Sequence, residues 1–174
     1  MFPALTSLSN FLTAANDIQN DVTARADFES RLPDDKKGLL TKEIKKAEEL
    51  QGRYADGKEQ VKNVKYLCVV IGDKVKDASV KENWQDTFPE VVREIQITRA
   101  QTQKYNLMTQ ALGFFKFSTI TEMKQKFADL TRTDVKNEDV RKAGAGMKNA
   151  FNAGMTRLAN QILKLSQMSD NELI

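Results

Sequence analysis

The sequence predicts an all-α protein, an elongated bundle of five or six amphipathic helices that run mostly antiparallel. Apolar residues recur at intervals of three or four over most of the chain, which is typical of helices that bury one face. No stretch of five or more residues alternates between apolar and polar side chains as a half-buried strand does. With 40% hydrophobic and 29% charged residues, the composition favours a thin core and a large solvated surface.

The length of 174 residues is close to that of one domain. We expect residues 1–167 to form a single helical-bundle domain and residues 168–174 to form a flexible C-terminal tail. The longest apolar run, residues 66–71, is far shorter than the roughly 20 residues of a membrane-spanning helix. The N-terminal segment lacks the basic start of a secretory signal, so these features slightly favour an intracellular protein.

The first two helices are predicted from apolar stripes and from proline and glycine. One helix covers residues 4–31, and Pro33 ends it because proline disfavours helical backbone in the residue before it. The next helix begins after Asp34 or Asp35, either of which can cap it, and ends near the glycines of segment 52–57. Its apolar stripe consists of Leu40, Ile44, Ala47, Leu50 and Tyr54.

A third helix is predicted over residues 61–78, where apolar residues follow the spacing of a coiled-coil seam. We expect it to be central in the bundle. The pattern breaks before Pro89, which suits the first turn of a new helix, and Trp84 and Phe88 are expected to pack at that corner.

The fourth helix is predicted over residues 89–112 and has a polar middle, residues 98–106. Arg99, Thr102 and Tyr105 would require partners if this helix were central, because an unpaired buried polar group costs about 1–3 kcal/mol. A polar layer in the core and an exposed middle section are the two alternatives.

Two further helices complete the predicted bundle. The densest aromatic cluster is formed by Phe114, Phe115 and Phe117, which we expect to close one end of the bundle. Thr119 and Glu122 match a capping box at the start of a short helix. The last helix is predicted over residues 135–167, with Thr133 as a candidate cap.

Charge is distributed unevenly along the chain. Residues 1–35 contain six acidic and two basic residues, whereas residues 140–169 contain five basic residues and no acidic one. Opposite charges attract and steer association. We therefore expect the two ends to pair, first within one molecule and otherwise between neighbouring molecules arranged head to tail.

A candidate interaction face lies on the last helix. Gly146, Ala150 and Gly154 recur every four residues, so they share one side of the helix and allow another helix to approach closely. The predicted face consists of Gly146, Ala150, Gly154, Lys148, Arg157 and Lys164. Tight packing within the bundle or between subunits, a helix that leaves the bundle for an assembly or a bilayer surface, and a hinge are the alternatives for the small residues.

No motif for catalysis or for cofactor binding is present in the sequence. The chain has no histidine, which removes the commonest general base and metal ligand. Cys68 is the single cysteine, so it cannot form an intramolecular disulfide, and we expect it to be an inert core residue. We predict that the protein is not an enzyme and has no cofactor, no catalytic residue and no metal site.

The remaining function classes depend on helix surfaces. We expect a structural or interaction protein that acts through protein–protein contacts, with itself or with another protein. The alternative is a lipid-binding or membrane-active bundle that uses its cationic last helix on an anionic membrane surface. A nucleic-acid-coating protein is a third hypothesis, which is disfavoured because basic residues are not interleaved with aromatic ones.

Overall fold

The structure, a computed structural model, describes residues 3–56, 89–132 and 136–174. These three ranges contain helices and turns but no strand, so the prediction of an all-α bundle is confirmed. The helices are α1 (Pro3–Asn20), α2 (Val22–Ser30), α3 (Leu39–Asp56), α4 (Pro89–Leu112), α5 (Phe117–Leu130), α6 (Glu138–Gln167) and α7 (Asp170–Leu173). The predicted third helix at 61–78, together with Cys68, Trp84, Phe88 and Thr133, lies outside the described residues.

The prediction of one continuous helix over residues 4–31 is wrong, because the helix is interrupted at Asp21. Asp21 has an extended backbone, with φ −97° and ψ 117°, and its carboxylate accepts a hydrogen bond from the Ala24 N–H at 2.8 Å. This is the geometry of an N-cap, so α2 starts as a new helix. The break also turns Val22 out of the apolar stripe, and its side chain is exposed.

Two predicted helix starts are also wrong. Asp34 and Asp35 do not cap α3, because they lie in a 3-10 turn and α3 begins only at Leu39. α5 begins at Phe117, so Thr119 lies within the helix instead of capping it. A 3-10 turn over Gly113–Phe115 leads into α5 through one extended residue, and this tight connection sets the start of the helix.

The core lies where α1 packs against both α3 and α4. Gln19 near the end of α1 donates a hydrogen bond to Thr41 near the start of α3, so these two helices are antiparallel. The rings of Phe11 and Tyr105 meet at 5.0 Å between α1 and α4. The fully buried side chains at this centre include Leu8, Phe11, Ala15, Ile18, Ala47, Tyr105, Met108 and Leu112.

Two phenylalanine rings pack together between α2 and the 3-10 turn that precedes α5. Phe115 is fully buried and meets Phe28 of α2 edge to face at a centroid distance of 5.0 Å. Phe114 and Phe117 are about half exposed, at 52% and 49%, so the prediction that all three phenylalanines close the bundle is wrong. The tight turn lets only the third residue of the 3-10 segment point inward.

α6 begins at Glu138, three residues after its predicted start, and ends at Gln167 as predicted. Asn137 caps it, with its side-chain oxygen accepting hydrogen bonds from the Asp139 and Val140 N–H groups at 3.0 and 3.4 Å. The helix packs against α5 through the rings of Phe127 and Phe151, which lie 5.6 Å apart.

The last residues, 168–174, were expected to be a flexible tail, and part of this segment is helical in the structure. Ser169 caps the single turn of α7 by accepting a hydrogen bond from the Glu172 N–H at 3.3 Å. The Gln101 side-chain amide donates to an Asp170 carboxylate oxygen at 3.2 Å, and Arg93 donates to Asn171, so α7 lies against α4.

The glycines of α6 provide a matched pair for testing this packing. A Cβ atom added at Gly144 would lie 2.8 Å from the Leu130 Cβ, whereas one added at Gly146 would meet no atom within 4 Å. Gly144→Ala should therefore lower the free energy of unfolding by about 1 kcal/mol or more through overpacking. Gly146→Ala should raise it by about 0.5–1 kcal/mol through helix propensity.

Urea unfolding of the two variants and the wild type measures both changes. A shift of the two midpoints in the same direction would contradict the assigned α5–α6 contact.

Candidate functional site

The first half of α6 is exposed around almost its whole circumference. Every residue from 138 to 150 is exposed except Gly144, which is covered by Leu130 and Thr131. The second half differs, because Met155, Ala159 and Ile162 are buried in the core. α6 is therefore anchored by its second half and presents its first half to the surroundings.

Five of the six predicted interaction residues share one side of α6. At about 100° per residue, Gly146, Ala150, Gly154, Arg157 and Lys164 fall within about 80° of one another. With the same rotation per residue, Lys148 projects from the other side of the helix. We call the first five residues the outward face of α6.

The outward face of α6 is open in the described structure. Gly146 and Ala150 are exposed and Gly154 is half-buried, and a Cβ atom added at either glycine would meet nothing within 4 Å. Close packing within the chain occurs at Gly144 instead. The glycine that packs therefore belongs to a different side of the helix from the glycines of the predicted face.

The cations of α6 make no ion pair within the three described ranges. Their side chains are exposed, and they are Arg141, Lys142, Lys148, Arg157 and Lys164. The acidic first segment contacts α6 through one of its two arginines. Arg31 forms an ion pair with Asp27 at 3.1 Å and donates a hydrogen bond to the Asn152 carbonyl of α6 at 2.9 Å. In the described part of the chain, the expected pairing of the two ends within one molecule is not made by ion pairs.

Apolar side chains border the outward face. Val140 is 38% exposed and Met147 is 48% exposed. Met147 lies three residues before Ala150, so these two residues are neighbours on the helix surface. Val140 lies on the same side as Met147, two turns earlier. The first half of α6 thus combines exposed apolar area with positive charge that forms no ion pair among the described residues.

A second feature is an ion pair inside the bundle, between Glu43 of α3 and Lys104 of α4. Glu43 is 1% exposed and Lys104 is 8% exposed. The Lys104 Nζ lies 3.8 Å from the Glu43 Oε2 and 5.2 Å from the centroid of the Tyr105 ring. The exposed Lys46 ammonium donates to the other carboxylate oxygen, Oε1, at 3.4 Å.

This pair is incompletely satisfied. Glu43 Oε2 is buried and accepts no hydrogen bond. Burial lowers the pKa of Lys104, an effect that the Glu43 carboxylate opposes and the Lys46 ammonium reinforces. Asp170 of α7 also raises the pKa of Lys104, so the C-terminal turn contributes to the electrostatics of the pair.

The sequence indicates this pair by two charged residues that stand at or beside buried positions. Glu43 stands between Leu40 and Ala47 at steps of three and four, so it occupies the buried stripe of α3. Lys104 lies in the polar middle of α4, directly before buried Tyr105. Of the two alternatives for this middle section, the polar layer is the one observed.

The polar layer does not include every residue that was expected to need a partner. Arg99 is exposed. Thr102 is half-buried and donates its hydroxyl hydrogen to the Thr98 carbonyl at 2.8 Å, so its partner lies within the same helix.

A cleft of about 220 Å³ lies beside the ion pair. α3 and α4 form its walls with Leu50, Tyr105 and Lys104, and α7 closes one side with Asp170 and Leu173. Lys46, Glu49, Arg53 and Gln101 complete the lining. The cleft joins an apolar surface to a buried ammonium, which is a combination that the sequence analysis did not predict.

Comparison of the chain with protein-family models, with curated proteins and with solved structures gives no match. Among the described residues, no three or more acidic or cysteine side chains are grouped as metal ligands. Within the same ranges, no helix has the length and apolarity needed to cross a bilayer.

A double-mutant cycle tests the coupling of Glu43 to Lys104. Glu43→Leu leaves a buried ammonium without its carboxylate and should lower the free energy of unfolding by about 3 kcal/mol. Lys104→Met leaves Glu43 with Lys46 and should cost less, about 1–2 kcal/mol. The double variant should unfold within about 1 kcal/mol of the wild type, because replacing both charges removes the desolvation penalty.

Chemical denaturation of the four proteins gives the coupling energy directly. Additive losses in the double variant would show that the two side chains act independently.

Proposed function

We propose that the protein is a non-catalytic helical bundle that acts through protein–protein contacts, and that it assembles with further copies of itself. The outward face of α6 makes the contact. The observation that supports this most directly is the first half of α6, which is exposed although it carries apolar side chains and small residues. Exposed apolar area of this kind often marks an interaction site.

Charge favours an acidic partner surface over a second α6. Two α6 helices packed through their outward faces would place the Arg157 and Lys164 cations of both copies in one interface, and like charges at short range disfavour such a pair. Residues 1–35 carry a net negative charge, and within that segment Asp17 is exposed and makes no ion pair in the described structure. A neighbouring copy therefore offers a complementary surface in its own first segment.

The resulting contact joins two different surfaces, so it is heterologous. Heterologous contacts form closed rings when the rotation between copies closes and open filaments when it does not. The small residues of the face permit close approach, and the charges give orientation and speed of association.

Charge reversal on α6 tests the proposed assembly. The double variant Arg157→Glu/Lys164→Glu should shift the assembly towards monomer, because both residues lie on the outward face. Lys148→Glu is the control on the other side of the same helix; it is compared with the single variant Lys164→Glu, which makes the same charge change, and it should retain most of the assembly. Light scattering over a range of protein concentrations measures the mass at about 50 mM and about 500 mM salt, where screening lengths differ severalfold.

We expect the wild-type mass to exceed that of one chain at low salt and to fall at high salt. A single monomeric mass at all concentrations and both salt levels would overturn self-assembly. Equal effects of Lys148→Glu and of Lys164→Glu would assign the contact to the net charge of α6 instead of its outward face.

Lipid binding is the second candidate, and the exposed side chains of Val140 and Met147 beside unpaired cations favour it. Interfacial helices bind anionic membranes through buried apolar area together with basic residues. Against it, glycine and alanine bury little area in a bilayer, so the outward face contributes little to such binding.

Flotation with vesicles separates the two candidates. A lipid-binding α6 should carry the protein upward with anionic vesicles and not with neutral phosphatidylcholine vesicles, and Met147→Ser should weaken flotation. Protein that stays at the bottom with both vesicle types would exclude the lipid role.

A further inference from the structure

The cleft between α3, α4 and α7 contains a buried cation with unused hydrogen-bonding capacity. The side chain of Lys104 is more than nine-tenths buried and lines the cleft. Its nearest carboxylate oxygen, Glu43 Oε2, lies at 3.8 Å, which exceeds the length of a hydrogen bond. An ammonium has three N–H donors, and donors left unpaired away from water carry a free-energy cost.

Three cations line the cleft, and only one of them, Lys104, is buried. Lys46 and Lys104 share the single carboxylate of Glu43, and Arg53 adds a guanidinium to the lining. Lys46, Glu49, Arg53 and Asp170 are exposed, so water screens their charges. The buried ammonium of Lys104 is therefore the least screened cation of the cleft.

Apolar side chains form part of the remaining lining, beside the polar side chains of Gln101 and Asp170. Leu50, Tyr105 and Leu173 contribute to the lining. The volume of about 220 Å³ is below the roughly 300–1,000 Å³ of typical ligand pockets, so only a small molecule fits. Such a molecule would place its anionic group at Lys104 and its apolar part between the leucine and tyrosine side chains.

Asp170 supplies an internal carboxylate to this cleft. It is on α7, and the Gln101 amide holds it at 3.2 Å. The single turn of α7 has few buried contacts of its own, since none of its residues is buried. Asp170 is therefore an internal anion in the space that an external anion would enter, on a single turn that two side-chain hydrogen bonds link to α4.

We propose that the Lys104 cleft is a binding site for a small organic anion, a carboxylate or phosphate group on a compact apolar body, and that Asp170 of α7 is its intramolecular competitor. Lys104 and Arg53 bind the anionic group, and Leu50 and Tyr105 contact the apolar part. This site lies between α3, α4 and α7 and does not depend on the assembly proposed for α6. Burial lowers the pKa of Lys104, and a bound anion would raise it again by favouring the ammonium form.

Titration of the full chain with matched probes tests the proposal. Benzoate and phenyl phosphate carry the two anionic groups, and benzyl alcohol is the neutral control of similar size. Calorimetry measures affinity, and amide chemical shifts in NMR spectra locate the site. We expect both anions to shift resonances of residues 101–105 and 170–173, whereas benzyl alcohol binds at least about tenfold more weakly, as expected for loss of a charge-assisted hydrogen bond.

Three variants distinguish the cleft from other cationic surfaces. Lys104→Met should weaken anion binding about tenfold or more, and Arg53→Met, at the exposed rim, should weaken it without disturbing the ion pair. Lys45→Met is the matched control for Arg53→Met, because Lys45 is also exposed on α3 and does not line the cleft. Asp170→Asn should strengthen binding severalfold, because it removes the competing carboxylate while keeping an amide of the same shape.

A preference for one anion identifies its chemical class and supports the site. No binding to either the wild type or Asp170→Asn would overturn the proposal. Equal binding of benzyl alcohol, or weaker anion binding in Asp170→Asn, would also overturn it.

Discussion

The packing of α1 against α3 and α4 creates the apolar volume on which the other features depend. Phe11 and Tyr105 meet at its centre, and each large side chain buried there contributes roughly 1.5–3 kcal/mol to stability. The second half of α6 adds Met155 and Ile162 to the same volume. This core is built from helices at both ends of the described chain, so residues far apart in sequence pack into one buried cluster.

The Glu43–Lys104 pair is a cost that this core tolerates. Removing two charges from water requires free energy that their attraction only partly returns, and Glu43 also leaves one oxygen without a donor. Such a pair is weak evidence for stability. The pair lies beside a cleft that the C-terminal turn helps to line. A buried cation at such an opening can bind an anion.

α6 shows how one continuous helix serves two purposes. Its second half is held by the core, while its first half contacts the rest of the described chain mainly through Gly144 and the Phe127–Phe151 contact. The rigidity of a helix carries the exposed half outward from an anchored half. Apolar periodicity is the same along both halves, so periodicity alone does not tell which half is covered.

The sequence by itself determined the helical class, the bounds of α4 and the end of α6, because apolar spacing, proline and glycine act locally. It also placed five of the six predicted interaction residues on one side of α6, since helical geometry requires only their spacing. Only the tertiary structure decided that Asp21 begins a new helix, that Gly144 is the glycine in close contact, and that Glu43 and Lys104 form a buried pair. Those features depend on which helices become neighbours, and neighbours distant in sequence are selected by packing of the whole core.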